Sequence, residues 1–474
     1  MIRHSKGKVK IEESAQDKET THKMKELMQE FLKFRHNFAS SSKSMEELLG
    51  YSLKLTSIGL DCPTVFNFRK DLLSKYFESL RDASKESSDE DKTAAFGKIK
   101  DLVETEIKYL TKMAMEDPKS YEIWFHRAWI IKTFSSQEAF YANSYKVTRF
   151  LIEMDLSICE KYLKKDERNF HAWNYRLELN KILFELFPND LQSITDKELD
   201  FIRSKLDENF SNYSAIHFFT KFIKMKTDLI AENFKFFIDR EVLIPQLETN
   251  LEAIMISPNE QALWLYQRWL IENLTDVKIV HAHLSENRTE VELLLNRALP
   301  ESLVEKLLKI TIDGEVILNS TIQITKIGTS SFRLKQVSHK SFSNCSLELN
   351  NPKLKNELQI AEGNITYLQA NQPSLNKDLL ENILTNFEEL EVPSLETRMF
   401  KLLNIYFIRR NLILEQWYGD KIALQSHLAA LQKEFVAKAD QEKYKTPFFQ
   451  RIIEKQRGCS GDDLEEILAC THLI

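Results

Sequence analysis

Apolar residues recur at the helical period through the first 275 positions of the chain. Leu151, Met154, Ile158, Cys159, Tyr162 and Leu163 share one face when wound at 3.6 residues per turn, and that face must be buried against another helix. Only Gly7, Gly50, Gly59 and Gly97 precede residue 276, which suits long uninterrupted helices. The polar run Ala83-Ser-Lys-Glu-Ser-Ser-Asp-Glu-Asp-Lys92 breaks the period and predicts a solvated connection; a phosphorylated regulatory loop is the other reading. From 276 to about 370 the period falls to two. Ile310/Ile312, Ile322/Ile324, Phe332/Leu334, Cys345/Leu347/Leu349 and Ile365/Tyr367 alternate with polar neighbours, and Asp313-Gly314 and Gly328 supply turn chemistry. A small antiparallel β-sandwich inserted into a helical protein is expected. Helical spacing returns from Leu375, as in Met399, Leu402, Leu403, Tyr406 and Phe407, and continues to about Lys455.

A short phrase repeats along the helical region. Trp124-Phe-His-Arg127 is followed by Trp173-Asn-Tyr-Arg176 and by Trp264-Leu-Tyr-Gln-Arg268, the last with one extra residue. Phe66-Asn-Phe-Arg69 and Ile216-His-Phe-Phe219 are weaker copies. Each follows a short polar opening: Asp61-Cys-Pro, Asp117-Pro-Lys-Ser, Glu167-Arg-Asn-Phe, Phe210-Ser-Asn-Tyr and Ser257-Pro-Asn-Glu. The spacing leaves room for two helices and a connection per copy. Stacked helical hairpins make a curved solenoid, because a single hairpin cannot bury its apolar face alone. Trp124, Trp173 and Trp264 are expected to fill gaps between hairpins. Arg127, Arg176 and Arg268, one turn on, are expected to bond carbonyls or carboxylates of the neighbouring unit.

Composition narrows the function classes. The net charge of −6 argues against a broad nucleic-acid footprint. Cys62, Cys159, Cys345, Cys459 and Cys470 are scattered and form no CxxC, which suits free thiols in a reducing, cytoplasmic compartment. No apolar run follows Met1, and the cluster Ile405 to Ile408 is far too short to span a membrane, so neither a signal peptide nor an integral membrane segment is expected. Cys470 lies fifth from the end, one place off a CaaX box, so the chain is not itself an obvious lipid substrate. There is no P-loop, Rossmann fingerprint, HExxH or GxSxG motif. His281-Ala-His283 is the one close histidine pair and has no Cys or carboxylate cluster beside it, so no metal site is expected there.

The repeats resemble those of protein prenyltransferase α subunits, most of all the Rab geranylgeranyltransferase (type II) kind. The resemblance covers residues 60 to 275. It implies a mainly α protein: a crescent α-α superhelix of helical hairpin repeats wrapped around a β subunit, an α/α barrel that carries zinc and the isoprenoid pocket. The implied organisation is a basic N-terminal segment at 1–20, helical repeats at 21–275, an immunoglobulin-like β-rich insert at 276–370, completing helices at 371–455 and a tail at 456–474. The non-catalytic α subunit supports transfer of geranylgeranyl from its diphosphate to cysteines of a Rab GTPase presented by a Rab escort protein. Vertebrate members continue into leucine-rich repeats, which this chain is expected to lack.

The resemblance also assigns site residues. Asp117-Pro-Lys-Ser-Tyr-Glu-Ile-Trp-Phe-His-Arg127 matches the segment that supplies a lysine and a tyrosine to the active-site rim, here Lys119 and Tyr121. Arg168-Asn-Phe-His-Ala-Trp173 matches the segment supplying a histidine, here His171. Farnesyltransferase-type subunits carry tyrosine before that histidine; Phe170 is the Rab-type residue, and Phe210-Ser-Asn-Tyr-Ser214 and the basic run His4-Ser-Lys-Gly-Lys-Val-Lys10 are also similar to the Rab type. The family's N-terminal histidine, here His4, can reach the β-subunit zinc when substrate is absent. The fourth copy departs from the family in Ile216 and Phe219. Three readings follow: the Rab-type α subunit, the α subunit shared by farnesyl- and type I geranylgeranyltransferases, and a non-enzymatic α-solenoid scaffold in which Lys119 and His171 are ordinary surface or packing residues. Lys119 follows Pro118 at an expected helix start, where a cation is locally unfavourable.

Overall fold

The computed structural model describes residues 44–58, 62–85, 87–230, 240–275, 278–296, 377–442 and 446–459, nine strands between 279 and 368, and a few isolated positions. His4, the basic run 4–10, the turn glycines Gly314 and Gly328, and Cys470 lie outside the described residues. The chain forms two compact units, residues 1–202 and 203–474.

The first unit is a stack of antiparallel helices: α1 (Met45–Ile58), α2 (Pro63–Ser84), α3 (Asp89–Glu116), α4 (Tyr121–Ala142), α5 (Lys146–Lys165), α6 (Phe170–Leu186) and the start of α7 (Leu191–Glu208). The connection expected at 83–92 is shorter than the polar run suggests. Ser88 caps α3 by accepting from the Asp91 amide at 3.2 Å, and Asp89, Glu90 and Asp91 occupy the first turn. Acidic residues there are favoured by the exposed amides and the helix dipole, so polarity marks a helix start and not a loop.

The repeated phrase builds one motif three times. The indole Nε1 of Trp124 donates to the Pro118 carbonyl, that of Trp173 to Glu167 and that of Trp264 to Pro258, each at 2.9 Å and each six residues back. The tryptophan thereby closes the opening turn over its own helix and buries its ring against the next helix. Two residues on, a polar side chain reaches back twenty positions. His126 Nε2 meets Glu106 at 2.7 Å, the Tyr175 hydroxyl donates to Asp155, and the Tyr266 hydroxyl donates to Gln246 at 3.2 Å.

The arginines complete the pattern between hairpins. Arg69 makes a bidentate pair with Glu106 and donates to the Leu49 carbonyl and the Ser52 hydroxyl, each at 2.8 Å. Arg127 pairs with Asp155 at 2.7 and 2.6 Å, and Arg176 with Glu198 at 2.6 and 2.9 Å. All three pairs are buried. Each carboxylate is thus fixed by the arginine of one hairpin, and Glu106 and Asp155 also by the polar residue of the following one. Burial opposes the charge on Glu106, but the bonds from Arg69 and His126 outweigh it and hold its carboxyl at about 2. Burial lowers His126, so it is neutral and donates its Nε2 proton.

In two places the helices depart from the pattern expected of the sequence. The face of α5 is centred on Ile152, Asp155 and Cys159, while Met154 and Ile158 are half-buried; a paired buried carboxylate is invisible to a count of apolar residues. The copy at Trp264 has no extra residue. Gln267 takes the place three after the tryptophan, is buried, and accepts from Asn250 Nδ2 at 2.7 Å. Arg268 is turned onto the adjoining face, over the Phe407 ring at 5.3 Å.

The second unit holds α8 (Tyr213–Ile230), α9 (Arg240–Ile256), α10 (Gln261–Leu274), the strands, and then α11 (Lys377–Glu389), α12 (Leu395–Gln416), α13 (Lys421–Gln441) and α14 (Pro447–Gly458). In the fourth copy Phe219 replaces the arginine and packs edge-on to Tyr266 and Trp269. The acceptor of Tyr266 is correspondingly the neutral Gln246. Cation and carboxylate are replaced together, so this exchange leaves neither member of the pair as an unpartnered buried charge.

Strands β1 (Ile279–Leu284), β2 (Glu290–Leu295), β6 (Ser331–Gln336) and β5 (Ile322–Lys326) form one antiparallel sheet in that order. β4 (Glu315–Ile317), β3 (Leu308–Ile312), β7 (Asn344–Asn351), β8 (Leu354–Ala361) and β9 (Asn364–Leu368) form the other. Val291, Leu293, Phe332 and Leu334 of the first sheet share a core with Leu308, Ile310, Cys345 and Leu347 of the second. That is a sandwich. β1 and β2 are apolar on both faces: Val280 and Leu294 point the other way, into a cluster with Leu414 of α12 and Leu424 and Leu428 of α13. The backbone of Asn296 and Arg410 of α12 join there through an Nη2–carbonyl bond of 2.5 Å.

Candidate functional site

The polar openings of two successive hairpins in the first unit lie side by side. Asp117 Oδ1 accepts from the Lys119 amide at 3.2 Å, and Asp166 Oδ1 accepts from the Arg168 amide at 3.1 Å, the same Asx turn in both. Lys119 therefore sits in this turn, with Ser120 as N-cap and α4 starting at Tyr121. The expected helix start at Pro118 is displaced, because Asp117 holds the backbone in the turn. Asn169 ties the openings together. Its Oδ1 caps α6 by accepting from the His171 and Ala172 amides at 3.0 and 3.2 Å, and its Nδ2 donates to the Pro118 carbonyl at 3.1 Å.

At these joined openings Tyr121 packs against His171, and Lys119 pairs with Asp166. Tyr121 meets His171 edge to face, ring centroids 4.4 Å apart, and lies 5.7 Å from the Phe170 ring. Phe170 and His171 are 3.9 Å apart. Lys119 Nζ is 3.4 Å from Asp166 Oδ2, an exposed pair held weakly. His171 is buried, whereas Tyr121 is 49% and Phe170 47% exposed and Phe125 beside them is 60% exposed. A surface ammonium, a phenol and an aromatic shelf thus face outward on a rigid base. Such a surface can receive a large anionic group joined to an apolar one.

Sequence reasoning missed Asp166, Asn169 and Phe125. Asp166 was legible as the counterpart of Asp117, and Asn169 as an N-cap residue. Phe125 had no signal beyond its aromatic ring. No group of three or more His, Cys, Asp or Glu suited to a metal occurs among the described residues. His281 and His283 sit on β1, the first half-buried and the second exposed. Burial, then Lys421 and His283, push His281 down to about 4. No helix among the described residues is long and apolar enough to cross a membrane.

Comparison with known proteins agrees with the repeat geometry. The family "Protein prenyltransferase alpha subunit repeat" matches residues 103–134 and 152–183, two copies that contain the Arg127–Asp155 and Tyr175–Asp155 contacts. The geranylgeranyl transferase type-2 subunit alpha of Rattus norvegicus is 27% identical over 226 residues, 48% of this chain and 34% of that protein. Its counterpart in Saccharomyces cerevisiae is 27% identical over 176 residues, covering 35% of this chain and 46% of the relative. That of Candida albicans is 26% identical over 319 residues, covering 62% of this chain and 78% of the relative. The matched stretch spans about a third of the length of the rat relative. Residues 103–134 and 152–183 thus match the protein prenyltransferase α-subunit repeat, and the chain is similar to the type-2 geranylgeranyltransferase α subunits.

Proposed function

We propose that the chain is the α subunit of a Rab geranylgeranyltransferase, working with a prenyltransferase β subunit as an obligate heterodimer in the cytoplasm. The supporting observation is the gathering of Lys119, Tyr121 and His171 at the joined ends of two hairpins, inside the stretch that is similar to type-2 α subunits. In the reaction a thiolate of the Rab C-terminus attacks C1 of geranylgeranyl diphosphate. A sulfur–carbon bond forms, the carbon–oxygen bond breaks and diphosphate departs with its electron pair. Zinc on the β subunit supplies a lowered thiol pKa.

This chain's residues act on the leaving group. Lys119 exchanges Asp166 for the diphosphate, bringing positive charge to where negative charge develops. Tyr121 donates its hydroxyl to a phosphate oxygen, and His171, packed against the Tyr121 ring, holds that ring and contributes to the rim. His4, as the resemblance implies, would be the residue of this chain able to hold the β-subunit zinc when substrate is absent. A Rab escort protein presents the Rab GTPase.

Co-expression with a candidate β subunit, followed by a transfer assay, tests this reading. A stoichiometric, zinc-containing complex that prenylates escort-bound Rab is the expected result. A complex that modifies CaaX peptides in place of escort-bound Rab would move the chain to the farnesyl- and type I class. Failure to form any such complex would leave only the scaffold reading.

A further inference from the structure

Three successive hairpin openings begin with the same turn. Asp117, Asp166 and Asn209 each accept, through a side-chain oxygen, from the amide two residues on, at 3.2, 3.1 and 3.0 Å. Asn209 shows that the turn needs the oxygen and not the charge. The charge of Asp166 therefore calls for a separate reason, and its second oxygen supplies one. With Oδ1 committed to the Arg168 amide, Oδ2 faces Lys119 Nζ at 3.4 Å. The backbone holds the carboxylate in that place, because the Asp166 amide also closes the end of α5 on the Tyr162 carbonyl at 2.9 Å. The Lys119 side chain is 70% exposed and that of Asp166 42%, so the pair is open to an incoming anion.

We propose that Asp166 is a positioning residue that acts through Lys119 and favours the departure of inorganic diphosphate from the site. This rests on the reading of Lys119 as the cation that meets the diphosphate. Asp166 does not follow Lys119 to the ligand, since its turn is fixed. It stays behind as a negative charge that competes for the same ammonium and repels the same phosphates. That penalty grows with the charge of the ligand. The esterified diphosphate has one ionisable oxygen fewer than the free ion released when the carbon–oxygen bond breaks. Asp166 therefore disfavours the product more than the substrate, and takes Lys119 back as the product leaves.

The test uses the heterodimer, with inorganic diphosphate competing against geranylgeranyl diphosphate. Asp166→Asn keeps the turn, as Asn209 does, and removes the charge. Its inhibition constant for inorganic diphosphate should fall roughly two- to fivefold, the range expected of one exposed ion pair, with a smaller gain in affinity for geranylgeranyl diphosphate. In a Lys119→Ala background the gain should largely vanish, because the ammonium for which the two anions compete is gone. If Asp166→Asn fails to assemble, Asp166→Ser, which keeps a weaker form of the turn, carries the comparison. Lys119→Ala also separates the two levels of the argument. If it weakens diphosphate binding while Asp166→Asn changes nothing, or if the gain keeps its full size without Lys119, the role of Asp166 is overturned and the reading of Lys119 stands. If Lys119→Ala itself leaves diphosphate binding unchanged, that reading falls, and the role of Asp166 with it.

Discussion

Replacing Arg127 by phenylalanine should cost the protein about 3–5 kcal/mol, the usual penalty for stripping one partner from a buried ion pair. Arg127 is 1% exposed and Asp155 is fully buried, so solvent screens neither charge. The substitution removes both bonds to Asp155 and the bond to the Thr111 hydroxyl at 2.9 Å. Among the described residues it leaves the carboxylate with only the Tyr175 hydroxyl. The same chain contains the remedy. At the equivalent positions of a later repeat Phe219 stands for the arginine and Gln246 for the carboxylate, and Tyr266 still has its acceptor at 3.2 Å. Arg127→Phe combined with Asp155→Gln should therefore recover at least half of the single-variant loss. Urea unfolding followed by tryptophan fluorescence, arranged as a double-mutant cycle, measures this. A double variant as unstable as the sum of its two singles would refute the idea that the repeats exchange charge pairs for neutral ones.

Two further outcomes follow from the same contacts. Glu106 is held at about 2 in the folded protein against 4.5 unfolded, so its contribution is complete above about pH 4.5 and is lost as pH falls toward 2. His126, lowered by burial, adds an earlier loss, since the unfolded chain takes up its proton first as pH drops through 6.5. Stability curves of Glu106→Gln should be flatter than wild type below pH 4.5; identical slopes would contradict this. Asn169→Ala removes an N-cap and the tie to Pro118 and should cost about 1–2 kcal/mol in thermal or urea unfolding. In the assembled transferase it should also lower turnover, because the turn bearing Lys119 loses its neighbour; a loss of stability with full turnover would separate the lock from the site.

Much of this architecture was readable in the chain because its signals are periodic. The aromatic anchors place each hairpin, and period-two alternation places Phe332, Leu334, Cys345 and Leu347 in the sandwich core. The buried carboxylates escaped, because Glu106 and Asp155 look like surface residues until their arginines, several helical turns away in sequence, fold over them. The register at Trp264 escaped for a related reason: an arginine one place late attracts the eye, while Gln267, which is neutral, fills the position. Lys119, Tyr121 and His171 could be nominated from sequence, but the joining of the two openings that carry them depends on Asn169 bonding a carbonyl of the preceding opening. No local pattern encodes a contact of that range.

The most direct measurement is the single-turnover rate of geranylgeranyl transfer to escort-bound Rab by the heterodimer carrying Lys119→Ala. If Lys119 meets the departing diphosphate, the rate falls at least about a hundredfold, the low side of what losing one charge-stabilising donor costs, while the subunits stay associated. An unchanged rate in an intact heterodimer would remove Lys119 from the chemistry.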